Sequence, residues 1–515
     1  MTQHSRPLKL PIGIQDFADI REEGYLYVDK TATIFDLLTT GKYYFLSRPR
    51  RFGKSLTLSV IKYLYGGRRD LFTGLSIEPQ WNWNKTHPVL HISFSDIGYK
   101  TLGLEAAMLS ELQLLSAKWG IELREAGIAR QFRELLHKLA EKHGKVVLLV
   151  DEYDKPLIDY LDEPEKAKAH QQLLKAFYAT LKDSGTYIEF LLLTGVSKFS
   201  QVSIFSDLNH LKDITLHPRF TTLTGYTQQE VGQHFGERIA ELATTGNRSV
   251  EAQTALIRDW YNGYSWGQGV TLYNPFSLMS YLDAGQFTNY WFSTGTPTFL
   301  LKLMRKKWIY DISAVELSEL AFSSYDVEDL QVYPILFQTG YLTIKGRNEF
   351  GLYCMGYPNR EVQESMLMYL ISNVAQDESS MSKTMVLQIR AAFYQNDMDS
   401  LIRLINSIFK NIPSHIFIAE AEAYYHSLIF LVFFYLGQYA ESEVNTNNGR
   451  LDCVVKTDKH IYVIEFKLNQ SAKVALQQIK DKGYAEKYLA DSRKKVLLGI
   501  NFSSESKVVK DWFAE

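Results

Sequence analysis

One stretch of this chain, YFLSRPRRFGKSL at residues 44–56, restricts its possible folds more than any other. Residues 43–46 are an aromatic and apolar run that predicts a buried strand. Residues 47–52 are a basic turn containing Arg48, Arg50, Arg51 and Phe52. Gly53, Lys54 and Ser55 then open an amphipathic segment, residues 56–64, whose apolar spacing predicts a helix. Strand, loop, Gly-Lys-Ser and helix is a layout that cradles phosphate. Backbone N–H groups at the helix start face the anion, Lys54 would reach the β- and γ-phosphates, and the Ser55 hydroxyl would hold magnesium. The glycine usually found five positions before Gly53 is Arg48 here. A basic turn before an ordinary helix has the same spelling, so a second stretch must decide.

That stretch is residues 145–150, a continuous apolar, β-branched run of the kind found in a central parallel strand covered on both faces. It ends in Asp151-Glu152-Tyr153-Asp154. Asp151 would hold magnesium through water, and Glu152 would orient and deprotonate the attacking water. A helix-capping acid after a buried strand is the plainer alternative. Taken together, the two stretches point to ATP with Mg2+, bound by Arg50, Arg51, Phe52, Gly53, Lys54, Ser55 and Asp151. Hydrolysis is a separate matter, because a bound nucleotide also serves as a switch. A further buried strand, residues 188–195, ends in Thr194, where AAA-type ATPases carry a polar residue near the γ-phosphate. Ser197 and Lys198 lie close by in sequence.

The chain has 515 residues, 46% hydrophobic and 22% charged, and two or three domains of ordinary globular character are expected. A formal net charge of -2 gives no global field toward nucleic acid or membrane, so any such attraction is local. Cys354 and Cys453 suggest neither a disulfide framework nor a zinc site, which fits a reducing cytoplasm. The N-terminus has no apolar core of signal-peptide length. The most hydrophobic stretch, residues 428–436, is far shorter than the roughly twenty residues of a bilayer span and reads as a buried helix.

In chain order, residues 8–38 precede the first strand, either near a nucleotide base or as a structural edge, with Asp29 or Thr31 capping a helix at 32–38. Residue 89 opens a clear strand. Residues 103–143 read as a long helical region ending at Gly144, and residues 169–181 as another helix. Strands alternating with helices imply a parallel sheet with ligands at the strand C-terminal ends, so residues 1–222 form one α/β domain. Residues 223–345 differ. Thr227 and Glu230 spell a capping box, aromatic turns follow, and residues 342–344 close a short β element. A helical lid and a winged-helix-like module both fit. Arg219 and Arg258 are candidate nucleotide-sensing arginines. Residues 346–515 begin with helices and change to strand, turn, strand, helix, strand near residue 437.

The last segment carries a second chemical site. Glu465 and Lys467, two apart on the strand at 461–467, share a face. Folding it back on residues 450–455 about Asp458 brings Asp452 within about one residue of the position opposite Glu465. Two carboxylates and an ammonium at one place suit Mg2+-dependent phosphodiester cleavage. Asp452 and Glu465 would bind the metal with the Phe466 carbonyl, and Lys467 would position water and offset developing charge. Burying Glu and Lys in an apolar strand is costly without partners. Gln478 and Lys482 on the next helix would lie near, and Glu443, or after it Glu441, is the candidate further acid. Residues 450–515 hold a mild excess of basic side chains, which favours a phosphate backbone and is also ordinary for a solvated surface.

The stretches YLYVDKT, FLSRPRRFGKSL, VVLLVDEYDKPL and FLLLTGVSKFSQVSIFSDLNHLKDIT resemble the bacterial AAA-ATPase-like proteins. GRLDCVV, YVIEFKL and ALQQIKDKGY resemble the PD-(D/E)XK nuclease-superfamily domain that ends them. The resemblance covers the first 220 or so residues and the last 80, and Arg48 is part of its RPRRFGKS pattern. It implies an N-terminal P-loop, AAA-like ATPase with a parallel sheet, a helical middle, and a C-terminal restriction-endonuclease-like α/β domain. Lys54, Ser55, Asp151 and Glu152 would stand at the nucleotide, and Asp452, Glu465 and Lys467 at the nuclease site. The expected activity is an ATP-gated, Mg-dependent nuclease acting on nucleic acid, DNA before RNA, with defence against foreign DNA suggested by the architecture. A nucleotide-switched scaffold with an inert nuclease fold is the other reading. A homo-oligomer and a protein partner both fit, and no membrane partner is expected.

Overall fold

Apolar runs buried on both faces pair in parallel, and two such runs, residues 146–151 and 188–195, lie side by side in a five-stranded parallel sheet. The structure is a computed structural model, and it describes residues 8–197, 211–267, 269–292, 300, 303–304, 307, 309, 312, 315–318, 331–375, 379–410, 436, 441–447, 450–503, 505–506 and 508–515. Side chains at 370–383, 408–410, 441–452 and 487 also lie outside the description. The chain divides into two units, residues 1–300 with 313–361, and residues 301–312 with 362–515.

In the first unit the strands are β1 (Tyr43–Ser47), β2 (Val89–Ser93), β3 (Val146–Asp151), β4 (Ile188–Gly195) and β5 (Lys212–Asp213). Their order is β2-β3-β4-β1-β5, all parallel. The phosphate-loop strand β1 therefore lies between β4 and β5, and the loops after β1, β3 and β4 emerge at one edge. Helix α1 (Phe17–Glu22) and helix α2 (Thr31–Thr40) precede β1, and α3 (Lys54–Tyr65) follows it. Leu58, Ile61 and Leu64 of α3 bury against Leu149, Phe190 and Leu192 of the sheet. That packing holds the N-terminus of α3 at the sheet edge.

The helical region expected at 103–143 is two helices, α4 (Leu104–Lys118) and α5 (Ile128–His143). Residues between them carry Gly120 and Gly127 at positive φ. The connection is tied down by the Glu134 carboxylate, which accepts the Arg124 and Glu125 N–H groups at 2.8 and 2.9 Å. Helix α6 (Pro164–Asp183) precedes β4. Beyond β5 come α7 (Gln228–Thr245), α8 (Val250–Tyr261), α9 (Pro275–Ala284) and α10 (Val332–Thr339). A three-stranded antiparallel sheet accompanies them, β6 (Val315–Leu317), β7 (Thr343–Arg347) and β8 (Tyr353–Gly356) in the order β6-β8-β7. Thr227 and Glu230 form a reciprocal capping box on α7. The same Glu230 receives Lys30 Nζ at 2.5 Å.

Glu361, near the start of α11 (Arg360–Ala375), is completely buried in the first unit and accepts the Trp291 N–H at 2.7 Å. Burial pushes its carboxyl up to about 8, against the pull of backbone donors. The folded chain thus keeps a proton that the unfolded chain releases near pH 4. Stability should fall as pH rises from there toward 8, by about 1.4 kcal/mol per pH unit at most, and level off above. Glu361→Gln is expected to flatten that slope in melting curves taken at pH 5.5, 7 and 8.5. An unchanged slope would refute the assignment.

The second unit is a mixed sheet, β9 (Glu441–Asn447), β10 (Arg450–Lys456), β11 (His460–Leu468), β12 (Lys494–Ser503) and β13 (Val508–Ala514), in the order β13-β12-β11-β10-β9. Only β11 and β12 are parallel. Helix α14 (Ala472–Asp481) covers the face bearing Val454, Ile461 and Val463 through Leu476 and Ile479. A side chain at Gly499 would collide with the Ala472 carbonyl, so this glycine permits the close approach of α14. The opposite face meets α12 (Ser379–Gln395) and borders α13 (Met398–Lys410). Tyr462 Oη donates to the Phe393 carbonyl at 2.8 Å, and Val509 N–H to Asn406 Oδ1 at 2.7 Å. Among the described residues no helix is long and apolar enough to cross a membrane. Of the expected buried helix at 428–436, only Leu436 lies within the described residues.

Candidate functional site

The β1–α3 turn is where the sequence concentrates charge, and the structure shows what that charge meets. Gly53 has φ 92, and α3 starts at the next residue, Lys54. Arg50, Arg51, Phe52, Gly53, Lys54 and Ser55 line one cavity of about 340 Å³, together with Glu152 and Ser95. Apolar walls come from Pro11, Ile14, Tyr226, Phe276 and Met279. The N-terminal segment, open in the sequence between base wall and structural edge, is therefore a wall of this cavity. Lys54 is buried and folds back on its own loop, donating to the Arg48 and Pro49 carbonyls at 3.0 Å each. Burial lowers its pKa, opposed by Asp151, Glu152 and Asp154. The lysine therefore sits among carboxylates without a direct ion pair among the described contacts.

Asp151 and Thr194 are not cavity walls. They stand behind it, with Thr194 Oγ1 donating to Asp151 Oδ1 at 2.5 Å. Asp151 Oδ1 also accepts the Glu152 N–H at 3.0 Å. Glu152 does face the cavity, and its backbone is left-handed, φ 51. Such a conformation costs a non-glycine residue about 1 kcal/mol or more and concentrates at functional sites. Its carboxylate is tied to Ser95 Oγ, just beyond β2. Arg51 is likewise left-handed, φ 63, and its guanidinium lies 5.1 Å from the Phe276 ring centroid.

Three participants escape motif reading. Ser95 follows a strand that is parallel to β3 and adjacent to it, so its position at the same edge as Glu152 was available from the pattern. Asp154, wholly buried, accepts the Val196 and Ser197 N–H groups at 3.0 and 2.6 Å and also the Ser197 hydroxyl at 2.6 Å. Burial raises its pKa and the Ser197 hydrogen bonds oppose this. It ties the tip of β4 to the tip of β3. Lys30 walls the cavity while paired with Glu230. Arg219 pairs with Asp36 at 2.9 Å, Arg258 is exposed on α8, and neither lines the cavity. Lys198 lies outside the described residues.

In the second unit, β10 and β11 pair with Asp452 directly opposite Glu465. Glu465 is fully buried and accepts Lys467 Nζ at 2.9 Å. The strand period puts both on the face that α14 covers. The pairing of β9 with β10 sets Asn445 opposite Asp452 and Glu443 opposite Val454, so Glu443 is one pair away on the same face. Glu441 is opposite Lys456. The side chains of Asp452, Glu443 and Glu441 lie outside the description, and among the described residues no three His, Cys, Asp or Glu side chains form a metal-holding group. Gln478 is half-buried on α14, its Nε2 among the buried atoms without a hydrogen-bond partner, while Lys482 is exposed and lies 5.8 Å from the Tyr484 ring centroid. A buried carboxylate with an acid opposite it in register is hard-oxygen chemistry, which suits Mg2+ better than a soft metal.

Comparisons with known proteins identify the families to which parts of the chain are similar. Residues 11–205 match the model of a family described as predicted AAA-ATPase, and residues 420–512 that of the PD-(D/E)XK nuclease superfamily. A protein described as "Uncharacterized protein in vnfD 5'region", from Azotobacter chroococcum mcd 1, is 39% identical, covering 98% of this chain and 99% of its own. The solved structure of the Aeropyrum pernix ORC1 protein in complex with DNA aligns over 66% of this chain and 92% of that chain. Its identity is 10% and its TM-score 0.25, too low to bear on function.

Proposed function

Because this chain belongs to the predicted AAA-ATPase-like family and ends in a PD-(D/E)XK nuclease-superfamily domain, we propose that it binds and hydrolyses ATP and cuts nucleic acid under nucleotide control. The observation that carries the first half is the cavity shared by Lys54, Ser55 and Glu152. Lys54, which lines the cavity, would exchange its loop carbonyls for phosphate oxygens. Ser55 would hold Mg2+ directly and Asp151, behind the cavity, through water; the ion when bound would neutralise phosphate charge. Glu152, released from Ser95, would take a proton from the attacking water. Thr194 holds Asp151 in place.

The second half rests on the Asp452–Glu465 register with Lys467 two residues on. Asp452 and Glu465 would hold Mg2+, whose chemistry there is to polarise the scissile phosphate and activate water. Lys467 would stabilise charge that develops on the phosphate oxygens. The substrate class proposed is DNA, and defence against foreign DNA is the role that this pairing of activities suits.

The test is phosphate release from ATP by full-length protein, with and without DNA or RNA. Lys54→Ala is expected to lower hydrolysis at least about tenfold through lost phosphate contacts, and Glu152→Gln to bind ATP while hydrolysing it about a hundredfold more slowly. Stimulation by nucleic acid that vanishes in Lys54→Ala would support coupling. Hydrolysis unaffected by Lys54→Ala would sink the reading.

A further inference from the structure

The phosphate loop of this chain has Arg48 in place of its usual first glycine, and its backbone is held from outside. The Arg50 carbonyl accepts Trp291 Nε1–H at 3.1 Å and Asn274 Nδ2–H at 3.4 Å. The Phe52 carbonyl accepts Gly225 N–H at 3.2 Å. The Phe52 ring is buried edge-on against Tyr264 and Trp266, at centroid distances of 4.9 and 5.4 Å. Pro49 lies against Gly340, φ 92, where a Cβ would come within 2.8 Å of the proline Cβ. All of these residues belong to one unit.

A trans peptide points its C=O and the following N–H in opposite directions. Holding the Arg50 and Phe52 carbonyls on Trp291, Asn274 and Gly225 therefore turns the Arg51 and Gly53 N–H groups away from those donors, and both residues line the cavity. Two such N–H groups make a concavity for an anion. We propose that Trp291 and Asn274 are positioning residues for nucleotide phosphate, acting through the Arg50 carbonyl. Asn274 serves twice, since its Oδ1 also caps α9 by accepting the Phe276 and Ser277 N–H groups at 3.0 and 3.2 Å. Trp291 is held in turn through its own N–H by Glu361. Nucleotide affinity is thereby tied to the arrangement of residues 264–291.

This rests on the reading that the cavity takes ATP, and the experiment separates the two. A fluorescent ATP analogue with Mg2+ is titrated into full-length wild type, Lys54→Ala and the double variant Trp291→Phe with Asn274→Ser. Phenylalanine keeps the ring packing without the indole donor. Serine remains a good helix cap and is too short to reach Arg50. The double variant is expected to bind about tenfold more weakly, with a nucleotide-free melting temperature close to wild type. Indole emission should respond to nucleotide in wild type and respond less in Trp291→Phe. Wild-type affinity in the double variant, with binding lost in Lys54→Ala, overturns the positioning role and leaves the ATP reading intact. No binding by wild type overturns both. If the double variant melts early, Trp291→Phe alone decides: a loss of about two- to tenfold supports the role, and unchanged affinity overturns it.

Discussion

Glu465→Gln is expected to lower metal-dependent cleavage of nucleic acid on the order of a thousandfold, while leaving the second unit folded. Glutamine preserves shape and removes the anionic oxygen that a hard cation needs. The cost in stability is that of orphaning Lys467, whose ammonium now sits 2.9 Å from the carboxylate and whose side chain is 8% exposed. A slightly exposed lysine can extend toward water, so the loss should stay at or below about 3 kcal/mol. Lys467→Met is the harsher change for folding. It takes the ammonium from a carboxylate with no exposure of its own and should cost up to about 3–5 kcal/mol, less where the acid takes up a proton. Both variants are checked by digestion of single- and double-stranded DNA and RNA with Mg2+ or Mn2+, beside melting curves. Cleavage that survives Glu465→Gln would place the chemistry elsewhere. Binding without cleavage by wild type would favour the scaffold reading.

The second large effect runs against intuition drawn from the motif. Arg48→Gly restores the common spelling of a phosphate loop, yet it should destabilise the first unit by about 3–5 kcal/mol. Arg48 has no exposure, donates to the Ser47 and Thr215 carbonyls at 2.9 and 2.8 Å, and stacks 4.0 Å from the Trp266 ring centroid. Burial lowers its pKa to about 9, with Asp213 opposing, so it stays charged at neutral pH. Glycine would remove the cation over the indole, the side-chain hydrogen bonds to the Ser47, Thr215 and Phe220 carbonyls and a full side-chain volume. It would also free the backbone just before the turn that faces the cavity. Melting curves and ATP titrations of the full chain provide the check. An Arg48→Gly protein that melts with wild type and binds ATP more tightly would show that the arginine is a tolerated accident.

Four strands of the parallel sheet were legible because each announces itself locally, whereas β5, two polar residues long, carries no such signal. Residues 146–150 are apolar without interruption, which only a strand covered on both faces tolerates in this setting. The mixed sheet near the C-terminus was legible for a related reason. The turn at Asp458 and two strands of known length leave little choice of register, so Asp452 falls opposite Glu465. The helical region at 103–143 was legible, but its division into two helices was not, because apolar spacing resumes after 127 and periodicity alone does not weigh two left-handed glycines.

Local chemistry thus determined the sheet, the phosphate-loop turn and the opposed acids of the C-terminal strands, since each is spelled within a few consecutive residues or one hairpin. Tertiary structure alone decided what holds that turn. Asn274 and Trp291 are 224 and 241 residues from the carbonyl they share. No period or motif links positions so far apart. Packing does, because a carbonyl withdrawn from water must find its donors wherever the fold brings them.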